Sequence, residues 1–194
     1  MDGTKKFPLL SGNLSLDLVN TELVKRGQRQ DLLITQEEMV EWLYTIKENI
    51  PFWDEQFLQQ VKERIDQVFS SILEMRLFLR QEFESIADHK SISNDLVVYL
   101  EKKIQKAPFT YKLEKQKLVP IPVGEIEDVL LSLIAFNALT LIENNQLTFL
   151  KRCSNPDCVL LFIDESGRRK WCSMKICGNR KKVSKFQQKH TDDH

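Results

Sequence analysis

Cysteine is absent from the first 152 residues of this 194-residue chain, and histidine occurs only at positions 89, 190 and 194. No C-x2-C pair is present, which removes the usual redox motif. A phosphate loop, a dinucleotide fingerprint and a nucleophile elbow are also missing, so no enzyme is expected. His89 beside Asp88 at a helix end reads as an ordinary solvated cation. The opening MDGTKKFPLLSGN carries no apolar stretch of about 7–15 residues after its lysines, so a signal peptide is not expected. Nor is there a run of about 18 apolar residues. The strongest apolar stretch, Val129 to Ile142, is interrupted by Ser132, Asn137 and Thr140. A cytoplasmic location with no membrane partner is the expectation.

What the chain does have is concentrated at one end. All four cysteines follow the pattern Cys153-x4-Cys158-x13-Cys172-x4-Cys177. Two knuckles separated by enough chain for a β-hairpin suit a tetrahedral four-thiolate zinc site. Each short spacing lets a tight turn aim two thiolates at one ion about 2.3 Å away. An iron–sulfur cluster takes the same four thiolates and is the alternative metal. Disulfides require an oxidising compartment, for which the sequence offers no signal. Zinc is the expected cofactor.

Charge is segregated in the same way. Residues 151–194 carry eleven Lys/Arg against five Asp/Glu, although the whole chain is balanced at 28 of each. The first 150 residues are therefore as acidic as the tail is basic. A cationic module on an acidic body is expected to meet a polyanion through its tail. The plain alternative is a lysine-rich helix that only keeps a small module soluble.

Periodicity makes the rest mainly helical. Leu14, Leu16, Leu18, Val19 and Leu23 suggest a first helix broken near Gly27. Thr35 with Glu38 forms a capping box opening a helix whose Met39, Trp42, Leu43 and Ile46 share one face. From Asp54 to about Ala87 the apolar residues keep helical period for longer than one average helix, so a long spine or a kink near Ser70-Ser71 is expected. Ser93 or Asn94 caps a further helix. Phe109–Leu113 and Leu118–Ile121 flank a short polar stretch and read as a hairpin. Its Pro120 and Pro122 make it an edge ribbon. A strongly apolar helix follows from about Glu125 to Ile142 and breaks at Asn144-Asn145.

In the cysteine module, Val159–Ile163 and Arg168–Trp171 read as strands of a hairpin that places Cys158 and Cys172 together. Ser173 to Lys189 reads as a helix with Ser173 as N-cap. Its Ile176, Val183 and Phe186 form an apolar face, while Lys181, Lys185 and Lys189, edged by Lys182, form a stripe suited to a phosphate backbone. Asn179 and Arg180 are residue types that can read base edges. Arg168, Arg169 and Lys170 extend the expected nucleic-acid contact. Asn179 is weighted towards tying the helix to the hairpin, and Trp171 towards packing on the metal site.

The run Trp171-Cys172-Ser173-Met174, then Cys177-Gly178-Asn179-Arg180-Lys181-Lys182, resembles the CGNR zinc-finger family. Phe162, Asp164 and Ser166 fit the same pattern. Leu16-Asp17-Leu18-Val19-Asn20-Thr21 is similar to the opening motif of the ABATE domain, which usually precedes this finger in bacterial proteins regarded as stress-induced transcription regulators. The resemblance implies a bacterial DNA-binding regulator with the four cysteines as zinc ligands. Here the tip Glu165–Lys170 is shorter than usual, and Lys170 replaces an arginine before the tryptophan.

Asp17, Asn20 and Thr21 can share one polar helix face. They are candidates for a ligand or interdomain site, weighed against a hydrogen-bond network that fixes the first helix to its neighbours. The expected architecture is a helical regulatory domain over 1–148 and a zinc-ribbon-like module of β-hairpin and helix over 149–194. DNA is the expected partner, a small-molecule effector and a homodimer are further expectations, and an RNA- or protein-interaction module is the alternative.

Overall fold

The computed structural model describes residues 6–25, 27–47, 50, 53 and 55–178. Within them the chain is mainly helical, as its periodicity indicated, and it carries three two-stranded antiparallel ribbons. Helix α1 (Leu14–Val19) is opened by Asn13, whose side chain accepts from the Leu16 amide. Strands β1 (Glu22–Lys25) and β2 (Gln28–Asp31) pair around Gly27, which takes φ +77°. The first apolar run is thus helix and then strand, because the chain reverses at a left-handed position that glycine fills without strain.

Helix α2 (Gln36–Ile46) has the expected capping box between Thr35 and Glu38, and buries Met39, Trp42, Leu43 and Ile46. Helices α3 (Glu55–Glu63) and α4 (Ile65–His89) divide the long periodic run at Arg64, six residues before the expected kink. Ser70 does not break α4 because its hydroxyl donates back to the Asp66 carbonyl at 3.1 Å within the helix. Ser93 caps α5 (Asn94–Lys106). The hairpin of β3 (Phe109–Glu114) and β4 (Lys117–Pro122) falls where expected and turns through Lys115 and Gln116, both at positive φ. Helix α6 (Ile126–Glu143) buries Val129 through Ala135, Ala138 and Leu141. A helix apolar on nearly every side belongs inside a bundle, and α6 packs against α1, α4 and α5. No helix among the described residues is long and apolar enough to cross a membrane.

Helix α4 is the spine that positions the cysteine module. Val68, Ile72, Met75, Leu79, Phe83 and Ile86 are buried at steps of three and four residues, the stripe a helix needs to face a core. Arg76 and Arg80 lie in the same stripe and are also buried. Beyond α6, Asn145 turns through φ +56° into a short 3-10 turn, Gln146–Phe149. Strands β5 (Leu150–Arg152) and β6 (Leu161–Ile163) then pair along α4.

Here the structure corrects the expected hairpin. Strand β6 pairs with β5, before the first cysteine, and residues 168–171 form no strand. The cause is local to Asp164. Its buried carboxylate accepts from the Ser166 hydroxyl at 2.7 Å and the Arg169 amide at 2.9 Å. With Gly167 at φ +72°, these bonds wind the chain into a turn rather than letting it run back along β6.

Candidate metal centre

Strand alternation builds the centre. Leu161 faces the helical body and joins its core, while Leu160 and Phe162 point the other way and pack with Cys153, Cys172 and Cys177. Trp171 covers the cluster from one side, as expected of a packing residue. Cys153 follows β5 directly, and Cys158 follows a turn closed by the Cys158 amide to the Asn155 carbonyl at 2.9 Å. Cys177 lies on a five-residue π-type turn, Met174–Gly178, whose entry is capped by the Ser173 hydroxyl accepting from the Ile176 amide at 3.0 Å. Ser173 is therefore the expected cap. A Cβ at Gly178 would stand 2.5 Å from the Met174 sulfur, so a larger residue there would have to turn that half-exposed side chain aside.

The four sulfurs all lie within 4.8 Å of one another. A tetrahedral ion with metal–sulfur bonds of about 2.3 Å sets its sulfurs about 3.8 Å apart. The Cys158–Cys172 pair is already at 3.9 Å. None of the four forms a disulfide. The surroundings also suit thiolates: the Cys172 amide donates to Cys153 Sγ at 3.4 Å, and Asn155 Nδ2 donates to Cys177 Sγ at 3.6 Å. Four soft donors, three of them buried and two accepting N–H groups, fit a structural metal ion.

The electrostatics lead to the same conclusion. A hydrogen bond from the Cys172 thiol holds Cys158 down to about 6. That same bond, with burial and the neighbouring sulfurs, pushes Cys172 well above the ordinary thiol range. Burial chiefly raises Cys177 to about 11. Without a cation only part of this charge can be carried. A divalent ion would make all four thiolates compatible.

The basic residues expected to meet nucleic acid divide into two groups. Arg169 is committed within the module: its guanidinium lies 4.6 Å from the Phe162 ring centre and donates to the carbonyls of Ile163 and Cys172. Arg168 and Lys170 are exposed with no acidic partner among the described residues, and so is Lys175. Asn179, Arg180, Lys181, Lys182, Lys185 and Lys189 lie outside the described residues, as does most of the expected helix from Ser173 to Lys189.

Asp17, Asn20 and Thr21 each anchor the end of α1 through separate bonds to different neighbours. Asn20 is fully buried; its Nδ2 donates to the Leu161 carbonyl and its Oδ1 accepts the Leu161 amide, both at 2.9 Å. The amide side chain thus acts as one more strand residue along β6. Thr21 donates to the Leu18 carbonyl at 2.6 Å and accepts from Arg76 at 3.0 Å. Asp17 Oδ1 gathers the amides of Leu10 and Ser11 and the Ser11 hydroxyl.

Sequence reasoning missed the arginines. Arg76 makes a forked pair with Asp31, and Arg80 donates to the carbonyls of Val19 and Val159. Lys90 reaches the Leu150 carbonyl, and Arg152 pairs with Asp88 and Glu84. The available signal was register, since Arg76 and Arg80 sit one turn apart within the apolar stripe of α4. No curated protein matches the chain. Residues 150–190, which hold all four clustered cysteines, match the family model of the CGNR zinc finger.

Proposed function

We propose that this chain is a DNA-binding transcription regulator whose cysteine module holds zinc and contacts the duplex. The observation that carries this reading is the coincidence, within residues 150–190, of the zinc-finger match, the four-sulfur cluster and the cationic segment. The exposed Arg168, Lys170 and Lys175 beside the cluster, continued in sequence by Arg180, Lys181, Lys182, Lys185 and Lys189, supply phosphate-binding charge. Asn179 and Arg180 are assigned to base edges or to the module's own packing. The ion acts as a structural staple: four thiolates leave it no position for a reacting water.

Within this reading, residues 1–148 form the ABATE-like regulatory body and 149–194 the DNA-contacting module, in a cytoplasmic, non-catalytic protein of the stress-response type. The body senses a small effector or mediates assembly into a dimer. The network at Asn20, Thr21, Arg76 and Arg80 is the route by which a change in the body reaches β6.

Selection of binding sequences from random duplex DNA, with zinc-loaded protein at near-physiological salt, tests the proposal. Enrichment of a defined motif is expected, and a palindromic motif adds dimerisation. Folded, zinc-loaded protein that enriches nothing overturns it in favour of an RNA or protein partner.

A further inference from the structure

A cleft of about 360 Å³ lies between α1, the end of α2, α6 and strand β4. Leu14, Ile46, Leu133 and Phe136 form its apolar floor and walls, and Leu118 and Pro120 of β4 overhang it. Directly opposed residues of a ribbon share a face, so Leu113, paired with Leu118, and Tyr111, paired with Pro120, belong to the same apolar surface. Leu113 and Leu118 are each 68 % exposed. At its base the ribbon is fixed, with Phe109 against Phe136 at 4.8 Å between ring centres. Its outer half leaves an apolar face in water above an apolar hollow, an arrangement that an intervening apolar molecule would complete.

The polar end of the cleft specifies the head group. Asn137 lines it, and its Oδ1 accepts the Ser15 amide at 2.9 Å. A backbone N–H needs an oxygen, so this bond fixes which way the Asn137 amide points. Its NH2 group is left with no hydrogen-bond partner among the described residues. Asp17 lines the same end, yet three donors already occupy its Oδ1. The polar capacity left open on Asn137 is a donor, and Lys117 at the rim adds a second.

We infer that this cleft binds a small, largely apolar molecule headed by a carbonyl or carboxylate oxygen, which the Asn137 amide receives while the β3–β4 ribbon closes over the apolar part. The inference gives chemical content to the sensing role proposed for the body. It rests on that role only for its purpose; binding itself is measured without DNA, so failure of either reading leaves the other standing.

The test uses the full zinc-loaded chain, labelled at Ile and Leu methyl groups, titrated with octanamide, octanoate and octylamine. Methyl shifts at Ile46, Leu118 and Leu133 are expected with octanamide or octanoate, and whichever binds better identifies a neutral or an anionic head. Octylamine is expected to bind at least about tenfold more weakly, the scale of one lost hydrogen bond to a buried partner. Asn137→Asp keeps an oxygen for the Ser15 amide but removes the donor, and should erase that preference. Leu118→Asn, on the exposed ribbon, should weaken all three probes without unfolding the protein. Equal binding of octylamine, an unchanged preference in Asn137→Asp, or no methyl shifts at millimolar probe would overturn the inference.

Discussion

Replacing Asn20 by alanine is the sharpest test of how the body grips the cysteine module. The side chain is fully buried and satisfies both the N–H and the C=O of Leu161 through two bonds of 2.9 Å. Alanine leaves both backbone groups without partners in a dry site, at about 1–3 kcal/mol each. Loss of the side-chain volume adds roughly 1 kcal/mol where the neighbours cannot close in. The expected cost is about 3–7 kcal/mol, a large part of the 5–15 kcal/mol that typically stabilises a domain. Arg152→Ala is the matched control. It removes contacts to Asp88 and Glu84 across the same seam, but between exposed groups, so it should cost no more than about 1 kcal/mol. Urea unfolding of the metal-loaded protein measures both. In a Trp171→Phe background the remaining tryptophans, Trp42 and Trp53, lie in the body, so their fluorescence reports whether it loosens with the module. Hydrogen exchange at the Leu161 amide should accelerate in the Asn20 variant alone. A cost below about 1 kcal/mol for Asn20→Ala, or equality with Arg152→Ala, would refute the reasoning.

Other perturbations separate anchoring from contact. Asp31→Ala strands Arg76, whose side chain is only 8 % exposed, and should cost about 2–3 kcal/mol in thermal or urea unfolding, reduced from the fully buried case because Asp31 is partly wet. Arg169→Ala should lower stability and leave a salt-sensitive duplex affinity to Arg168 and Lys170; charge reversal at those two should do the opposite, as paired melting and anisotropy measurements will show. On acidification, Asp164 is pushed up by burial but pulled down further by Lys151 and its other donors, to about 2 from an ordinary 3.8. Its contribution is therefore present above about pH 4 and lost as pH falls towards 2, which an acid titration of wild type against Asp164→Asn resolves. Asp17 has the opposite sign, because burial raises its carboxyl. Its ionisation works against the folded state at neutral pH, so Asp17→Asn, which keeps an Oδ1 acceptor, should melt no lower than wild type.

Features that depend on a few neighbouring residues were legible in the sequence. Thr35 and Glu38 satisfy each other within one helical turn, and Met39, Trp42, Leu43 and Ile46 need only helical period to share a face. The β3–β4 hairpin followed from alternation and turn residues over fourteen positions, 109–122. The cysteine cluster was legible because two short knuckles leave few ways to place four sulfurs. What escaped was set by distant partners. Strand β6 chose β5 because Leu161 and Leu150 are drawn into the core of the body, while Asp164 closed the chain that would have formed the other strand. The β1–β2 ribbon carries polar Gln28, Arg29 and Gln30 on its second strand, so no apolar alternation announces it. Arg76 and Arg80 fall in the apolar stripe of α4, but their partners Asp31, Val19 and Val159 are distant in sequence, so register alone could not say what they bind.

Anisotropy of a labelled duplex, titrated with metal-loaded and chelator-stripped protein at several salt concentrations, tests the central claim most directly. The account predicts binding by the loaded form alone. Three phosphates met by Arg168, Lys170 and Lys175 already imply a slope of at least about −2.7 in log affinity against log salt. Equal affinity after metal removal, or affinity indifferent to salt, would contradict it.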